Sequence, residues 1–215
     1  MGINIGFILT TLLFLLFFFL GTGRNKRVLL ISIIWLILIS SLSLTGFFQN
    51  TNTIPPRFLI VLIGNITFIA FLYTKLKTVD LEYRYAMLVQ ALRVPVEITL
   101  YFLFLQKQVP EIMTFNGLNF DIIIGISALI FFILSQLFKV NLGKKTLMVW
   151  NIIGLLFLMN IVVIAILSAP LPIQQLSFQQ PNIAVLSFPY ILLPSFIVPI
   201  VILTHIISIK QLTKS

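Results

Sequence analysis

Seven long apolar runs follow one another along this chain of 215 residues, with short polar connections between them. An α-helix rises about 1.5 Å per residue, so a run of about twenty apolar residues spans the roughly 30 Å hydrocarbon core of a bilayer. Runs this long are incompatible with the alternating strands of about ten residues that build membrane barrels. The pattern therefore predicts an all-α integral membrane protein, with residues 1–215 forming one seven-helix bundle.

The predicted spans cover residues 3–20, 28–48, 58–74, 86–105, 122–138, 146–168 and 187–209. No basic residue precedes the first run and three follow it, which is the reverse of the charge order of a signal peptide. We therefore expect the first run to be retained as a helix. The last run contains Pro189, Pro194 and Pro199, which predict either a kinked gate or bends that neighbouring helices tolerate.

The basic residues of the connections alternate along the chain. With seven spans, eleven of the fourteen Lys and Arg residues fall on one side of the membrane and two on the other, and Arg93 lies inside a span. Because basic residues accumulate in cytoplasmic loops, this bias predicts an N-terminus outside and a cytoplasmic C-terminus. A bacterial inner (plasma) membrane is the predicted location.

The composition excludes several classes of protein. Charged residues make up 9% of the chain and hydrophobic residues 60%, so a soluble domain is not expected. The net charge of +9 does not indicate nucleic-acid binding, because the basic residues lie in short clusters between apolar runs. Without cysteine and with one histidine, the chain lacks the ligands of thiolate zinc sites and iron–sulfur clusters. We predict no metal and no cofactor, and the lipid bilayer with a small-molecule or lipid ligand as partners.

Two charged residues interrupt the fourth run, AMLVQALRVPVEITLYFLFL (86–105). Arg93 and Glu97 are four residues apart and project from one face of a helix, and Gln90 and Tyr101 extend the same stripe. Ionisable groups inside a membrane are costly and normally face the bundle interior. Pro95 lies between the two. Because proline has no N–H group, the carbonyl of residue 91 lacks its usual helical hydrogen-bond donor.

The predicted topology brings other polar residues to a similar depth. Asn151 lies five residues into the sixth span and His205 four residues, or about 6 Å, before the end of the seventh. Both are therefore expected in the layer of Arg93, with Asn65 near the middle of the third span. Asn160 is nine residues after Asn151 and projects from the opposite helix face.

This predicted layer has two interpretations, which the sequence leaves open. In the first, Arg93, Glu97 and His205 form a buried site that binds an anion or relays protons, since carboxyl and imidazole groups are the usual parts of proton relays. In the second, Arg93 and Glu97 neutralise each other and hold helices together, and His205 is hydrated by water near the membrane interface.

A further polar cluster falls in the long connection 106–121, predicted to lie outside. Its members, Glu111, Asn116, Asn119 and Asp121, would form a mouth or a rim that binds lipid head groups. Loops are polar in any case, so an ordinary solvated loop is the alternative.

The leading functional hypothesis is a membrane protein that binds or transports a small solute through the intramembrane polar site, with coupling to protons as one form of it. One alternative is an intramembrane enzyme for a lipid or isoprenoid substrate, with Glu97, Asp121 or His205 as acid or base and Arg93 as anion ligand. The other is a structural accessory subunit. The sequence has no metalloprotease, serine-hydrolase or phosphate-loop motif, so catalysis is not the leading hypothesis.

Overall fold

A computed structural model describes residues 2–214, which contain helices and connections and no β-strand. The eight α-helices are α1 (Gly2–Gly21), α2 (Lys26–Leu44), α3 (Leu59–Leu76), α4 (Tyr83–Ala91), α5 (Arg93–Leu105), α6 (Asp121–Gln136), α7 (Lys144–Ser168) and α8 (Val198–Lys214). The predicted all-α class is confirmed.

Six segments of residues 2–214 are helices long and apolar enough to cross a membrane. α4 and α5 together form one of them, Tyr83–Leu105, and the last runs over Leu193–Lys214. The fifth predicted span corresponds to α6, which is apolar and has 16 residues. At 1.5 Å per residue α6 is about 24 Å long, shorter than a full crossing. Seven crossings therefore stay a prediction.

The helices differ in how much of their surface the bundle covers. α8 packs against α7, α3 and α4, and α4 also packs against α6 and α1. α4 and α8 therefore form the interior of the bundle. By contrast, α1, α2 and α3 bury one narrow face and expose leucine, isoleucine and phenylalanine elsewhere. The polar residues of α4, α5 and α8 are thereby enclosed by helices rather than exposed at the periphery.

The helix that carries the charged pair is interrupted at Leu92, between α4 and α5. Pro95 cannot donate a hydrogen bond to the carbonyl of Ala91, which is the effect predicted from the sequence. The backbone N–H of Val96 reaches the Leu92 carbonyl at only 3.4 Å. The interruption makes Arg93 the first residue of a new helix.

α8 is preceded by a π-helical turn, Leu193–Ile197, and Pro199 follows this turn. Two carbonyls there accept hydrogen bonds from side chains of other helices. Trp35 Nε1 donates to the Ser195 carbonyl at 2.7 Å, and Asn65 Nδ2 donates to the Pro194 carbonyl at 2.7 Å. Neighbouring helices thus satisfy the backbone groups that the proline leaves free.

The predicted limits of the last span, 187–209, are wrong. The helical segment begins at Leu193 and continues to Lys214, because residues 184–192 form short turns instead of a regular helix. His205 is consequently nine residues, or about 13 Å, from the end of α8 rather than about 6 Å.

The connection 106–120 does not stay at the end of the bundle as predicted. Its short 3₁₀ turn, Glu111–Met113, contacts α5 and α7. Asn160 Nδ2, eight residues or about 12 Å before the end of α7, donates to the Leu118 carbonyl at 2.8 Å. The chain therefore re-enters the bundle before α6 begins, which explains why α6 is short.

The connections meet at two ends of the bundle. At one end Lys210 Nζ donates to the Lys77 carbonyl at 2.8 Å, and the Glu82 amide donates to the Gly21 carbonyl at 3.0 Å. At the other end Tyr190 Oη donates to Asn4 Oδ1 at 2.6 Å. Each of these contacts joins segments that the sequence predicts to be on the same side.

Candidate functional site

Arg93 is the centre of a buried polar cluster. It is 3% exposed and lies at the start of α5, directly after the interruption at Leu92. Its guanidinium forms an ion pair with Asp121, the first residue of α6. Nη1 also donates to Gln90 Oε1 at 3.3 Å, and His205 Nε2 lies 3.3 Å from the same nitrogen. Three elements thus converge on one guanidinium.

The contacts of His205 determine which of its ring nitrogens carries the hydrogen. Arginine has donors only, so Nε2 of His205 accepts from Arg93, and Nδ1 is the nitrogen that carries the hydrogen. Nδ1 lies 2.9 Å from Oδ1 of Asn151, to which it donates. Asn151 Nδ2 in turn donates to the Leu147 carbonyl at 2.8 Å, which orients the amide. A chain of hydrogen bonds therefore runs from Arg93 to the backbone of α7.

The close approach of α7 and α8 at this chain depends on Gly154. A Cβ atom on Gly154 would lie 2.6 Å from Cε1 and 2.8 Å from Nε2 of His205, which is closer than packed atoms approach. The imidazole, held on both sides by hydrogen bonds, occupies the space that a side chain would need. A glycine is required at this position for the ring to reach Arg93.

Glu97 is held separately from the ion pair, one helical turn beyond Arg93. It is 2% exposed, and Oε2 accepts a hydrogen bond from Asn119 Nδ2 at 2.7 Å. The same nitrogen donates to the Met113 carbonyl, and Asn119 Oδ1 accepts from the Asp121 amide. Across residues 2–214, no Lys, Arg or His nitrogen lies within salt-bridge distance of Glu97. The re-entrant connection therefore supplies its hydrogen-bond partner.

A cavity of about 100 Å³ opens beside the cluster. Its polar lining comprises Asn65, Arg93, Glu97, Asp121 and Asn182. The rest of the lining is apolar and comes from α3, α5, α7, the π-helical turn and α8, together with Phe58, Met113 and Val185. Such a volume holds a few water molecules or a small organic group, judged against an apolar cavity of about 150 Å³ that binds benzene.

Two asparagines of the cavity lining have amide oxygens without a hydrogen-bond partner. Asn182 Nδ2 donates to the Ala165 carbonyl at 3.3 Å, and Asn65 Nδ2 donates to the Pro194 carbonyl. These bonds orient each amide with its nitrogen on the backbone, so each Oδ1 stays available. Buried polar atoms are rarely left unpaired, so each of these oxygens is a candidate acceptor for a hydrogen-bond donor.

The predicted site residues divide into three groups. His205 contacts both Arg93 and Asn151, as the predicted layer requires, and Asn160 projects away from them, as predicted. Asn65 lines the cavity, but its amide bonds the Pro194 carbonyl rather than the charged residues. Glu97 lies beside them. The role of these residues in binding stays a prediction.

Three expectations from the sequence are wrong. Asn119 and Asp121 are 2% and 5% exposed and belong to the buried cluster, not to an outer mouth, because the connection that carries them re-enters the bundle. His205 is 0% exposed and is not wetted near an interface. The ion-pair partner of Arg93 is Asp121 and not Glu97, which one of the two interpretations of the layer required. Glu111 and Asn116 are exposed, and their place at an outer mouth stays a prediction.

Asn182 lines the cavity but was not among the residues predicted for the buried polar layer. It follows a run of glutamines and a proline in a polar connection, where an asparagine has no distinguishing signal. Its burial depends on the Ala165 carbonyl of α7 and on the backbone bond from the Asn182 amide to the Ser168 carbonyl. These contacts arise only when the connection folds back over the end of α7.

A second, wider cavity of about 580 Å³ lies at the opposite end of the bundle from Lys77 and Lys210. Its lining includes Asn4, Gln49, Gln106 and Gln108, with Phe188 and Tyr190 as aromatic walls, and no charged residue. Gln49 Nε2 donates to Ser187 Oγ at 3.0 Å across it. This end cavity is neutral and amide-rich, in contrast to the small cavity beside Arg93.

The family of the chain follows from comparison with known families. Residues 56–213 match the family described as Domain of unknown function (DUF8737). The chain belongs to this family. The matched region extends from just before α3 almost to the end of α8 and contains every residue of the buried cluster. Comparison with curated proteins and with solved structures gives no match.

The chemistry available at the cluster follows from its groups. In the part of the chain that the structure describes, no group of three or more His, Asp or Glu side chains is arranged to hold a metal ion. A carboxyl group, a neutral imidazole and an arginine lie in one connected network beside a cavity. Such a network can bind a small polar molecule or pass a proton.

Proposed function

We propose that this protein is a polytopic membrane protein that binds or transports a small solute at the Arg93–Glu97–Asp121 cluster. The observation that carries the proposal is a cavity with charged side chains on one wall and apolar side chains on the others. In a bilayer, buried ionisable residues are rare, face the bundle interior and mark substrate and ion pathways.

The membrane location is part of the proposal. Six helices of suitable length and hydropathy support it, as do the exposed leucine and isoleucine side chains around the bundle. Seven crossings follow if α6 and the re-entrant connection together traverse the bilayer, since irregular backbone is tolerated there when protein surrounds it. The distribution of basic residues then orients the N-terminus outside and the C-terminus in the cytoplasm, in a bacterial inner membrane.

Orientation is tested with reporters active on only one side of the membrane. A reporter fused after Lys214 is expected to be active in the cytoplasm, and one inserted within residues 170–182 outside the cell. Two reporters active on the same side would show that the helical segment between them, Leu193–Lys214, does not cross the membrane. Two reporters active on the sides opposite to those expected would overturn the orientation.

Solute binding or transport is tested with the purified protein in liposomes. Proton flux, followed with a trapped pH-sensitive dye, is expected to exceed that of empty liposomes and to fall in Glu97→Gln, which keeps the shape of the side chain. Glu111→Gln is the matched control, because Glu111 is an exposed glutamate outside the cavity. Equal background flux for all three proteins would refute proton-coupled transport and restrict the proposal to binding.

The pairing of Arg93 bears on the enzyme hypothesis. An arginine that holds a phosphate or carboxylate of a lipid substrate needs free donors and an uncompensated charge. Here Asp121 compensates the charge, and Gln90 and His205 contact Nη1. Binding of a ligand next to a neutralised Arg93 therefore has better support than catalysis on an anion held by it.

A further inference from the structure

We propose that the ligand of the cavity is an amphipathic primary amine, with its ammonium at Glu97 and its apolar chain between α3 and α7. This inference rests on the proposed function and specifies its ligand. It concerns the sign of the charge that the cavity accepts and the side from which a molecule enters.

The charges of the lining favour a cation. Three charged side chains, Arg93, Glu97 and Asp121, line the cavity. Because Arg93 forms its ion pair with Asp121, Glu97 has no cationic partner in residues 2–214. A buried carboxylate of this kind normally has a partner of opposite charge or a bound proton. An ammonium group would supply that partner, whereas an anion would add a second like charge.

The unpaired hydrogen-bonding atoms favour a donor. The amide oxygens of Asn65 and Asn182 both belong to side chains lining the cavity and both lack a partner. Arg93 contributes Nε as an unpaired donor, but Nε belongs to the guanidinium already paired with Asp121. An ammonium has three donors and no acceptor, which matches a lining in which acceptors predominate.

The apolar walls favour a ligand with a hydrocarbon body. On one side the cavity is lined by Leu62 of α3 and on the other by Val162 and Ala165 of α7, all of them half-buried. Exposed apolar side chains flank both helices, with Ile66 on α3 and Val163 on α7. A chain attached to the ammonium would therefore leave the cavity toward lipid rather than toward water.

The test compares three four-carbon molecules with different polar groups: n-butylamine, n-butanol and butyrate. Each is titrated against the purified protein in nanodiscs, and the midpoint of thermal unfolding gives the dissociation constant. We expect butylamine to bind about tenfold more tightly than the other two, since an ion pair with Glu97 would form only with the amine. Glu97→Gln should abolish this preference, and Glu111→Gln should keep it.

The apolar part is tested in the same way. n-Pentylamine should bind about fourfold more tightly than n-butylamine for its additional methylene, until the cavity is filled. Ala165→Leu narrows the apolar wall without changing a charged group, so it should remove this gain and keep the preference for an amine. If Glu97→Gln does not fold, the decisive comparison is between Ala165→Leu and the wild type, in the gain in affinity from n-butylamine to n-pentylamine.

The source of the amine is separated by two further arms. n-Butylamine is added to the buffer, and dodecylamine is supplied in the nanodisc lipid. A midpoint shift with n-butylamine that is lost in Glu97→Gln identifies water as the source. A midpoint shift with dodecylamine that is lost in Glu97→Gln identifies the bilayer. Tighter binding of butyrate or butanol than of butylamine, lost in Glu97→Gln, would overturn the amine and keep the proposed binding function. No midpoint shift with any of the molecules would overturn both.

Discussion

The two cavities of this protein use polar residues in opposite ways. The small cavity beside Arg93 places charged groups among apolar walls, and each of these groups is nearly inaccessible to solvent. The wide end cavity is lined by amides and aromatic rings, has no charged residue and is several times larger, at about 580 Å³ against about 100 Å³. Gln49 at this end is exposed.

The difference teaches where polar groups determine stability. A polar group that water can reach exchanges one hydrogen-bond partner for another at little net cost, whereas an enclosed group without its partner loses the full desolvation energy. Substitutions at the small cavity should therefore be costly, and chemically similar substitutions at the end cavity or its loops should be nearly neutral.

The largest effect is expected for Asp121→Leu. It removes the ion-pair partner of Arg93 and leaves a buried, uncompensated charge, so the free energy of unfolding in mild detergent should fall by about 3–5 kcal/mol. Glu111→Leu changes an exposed acid of the same connection and should cost less than about 0.5 kcal/mol.

The double variant Arg93→Leu with Asp121→Leu should recover most of the lost stability, because removing both partners of a buried pair is often neutral. If Asp121→Leu unfolds like the wild type, the ion pair does not stabilise the bundle, and the contrast between the two cavities is wrong.

An intermediate effect is expected for Asn151→Leu. His205 Nδ1 would lose its acceptor inside the bundle, at a cost of about 1–3 kcal/mol. Gln49→Leu removes an amide of the end cavity whose partner, Ser187, can bond water instead, and should cost less than about 0.5 kcal/mol. Chemical unfolding of both variants under one condition makes the comparison, and equal losses would contradict it.

The smallest net effect at the cluster is expected for Gly154→Ala. The new Cβ would push His205 away from Arg93 at an overpacking cost of about 1–3 kcal/mol, against which the helix propensity of alanine returns up to about 1 kcal/mol. Trp150, whose ring centroid lies 5.9 Å from that of His205, should report the shift as altered fluorescence.

Gly6→Ala is the matched control for this substitution. A Cβ on Gly6 of α1 would have nothing within 4 Å apart from its chain neighbours and the backbone of its own helix, so only the gain in helix propensity remains. For Gly6→Ala, the unfolding midpoint should be unchanged or slightly higher, and the Trp150 fluorescence should be unchanged. An unchanged Trp150 signal in Gly154→Ala would mean that the imidazole is not confined by α7.

Several parts of the site could be predicted from local sequence rules. The spacing of Arg93 and Glu97 places them on one helix face, and the spacing of Asn151 and Asn160 places these on opposite faces. Hydropathy gave the approximate helix positions. Counting residues along the helices brought Arg93, Asn151 and His205 together, although the end assumed for the helix of His205 was wrong. These rules work because a helix fixes the direction and rise of each residue.

The partners of the charged residues could not be predicted in this way. Asp121 reaches Arg93, and Asn119 reaches Glu97, because residues 106–120 re-enter the bundle between α5 and α7. In the sequence this segment is a polar connection like the others, and its depth is set by contacts such as that of Asn160 with the Leu118 carbonyl.

The sequence by itself determined the helical class, the approximate limits of most helices, and which polar residues share a helix face. These properties depend on hydropathy and on the 3.6-residue period, both of which are local. The tertiary structure decided that Arg93 pairs with Asp121 and that Asn182 and Asn65 face one cavity with Glu97. Pairing between distant segments is set by which buried polar groups satisfy one another when all the helices pack together, and that balance belongs to the whole bundle.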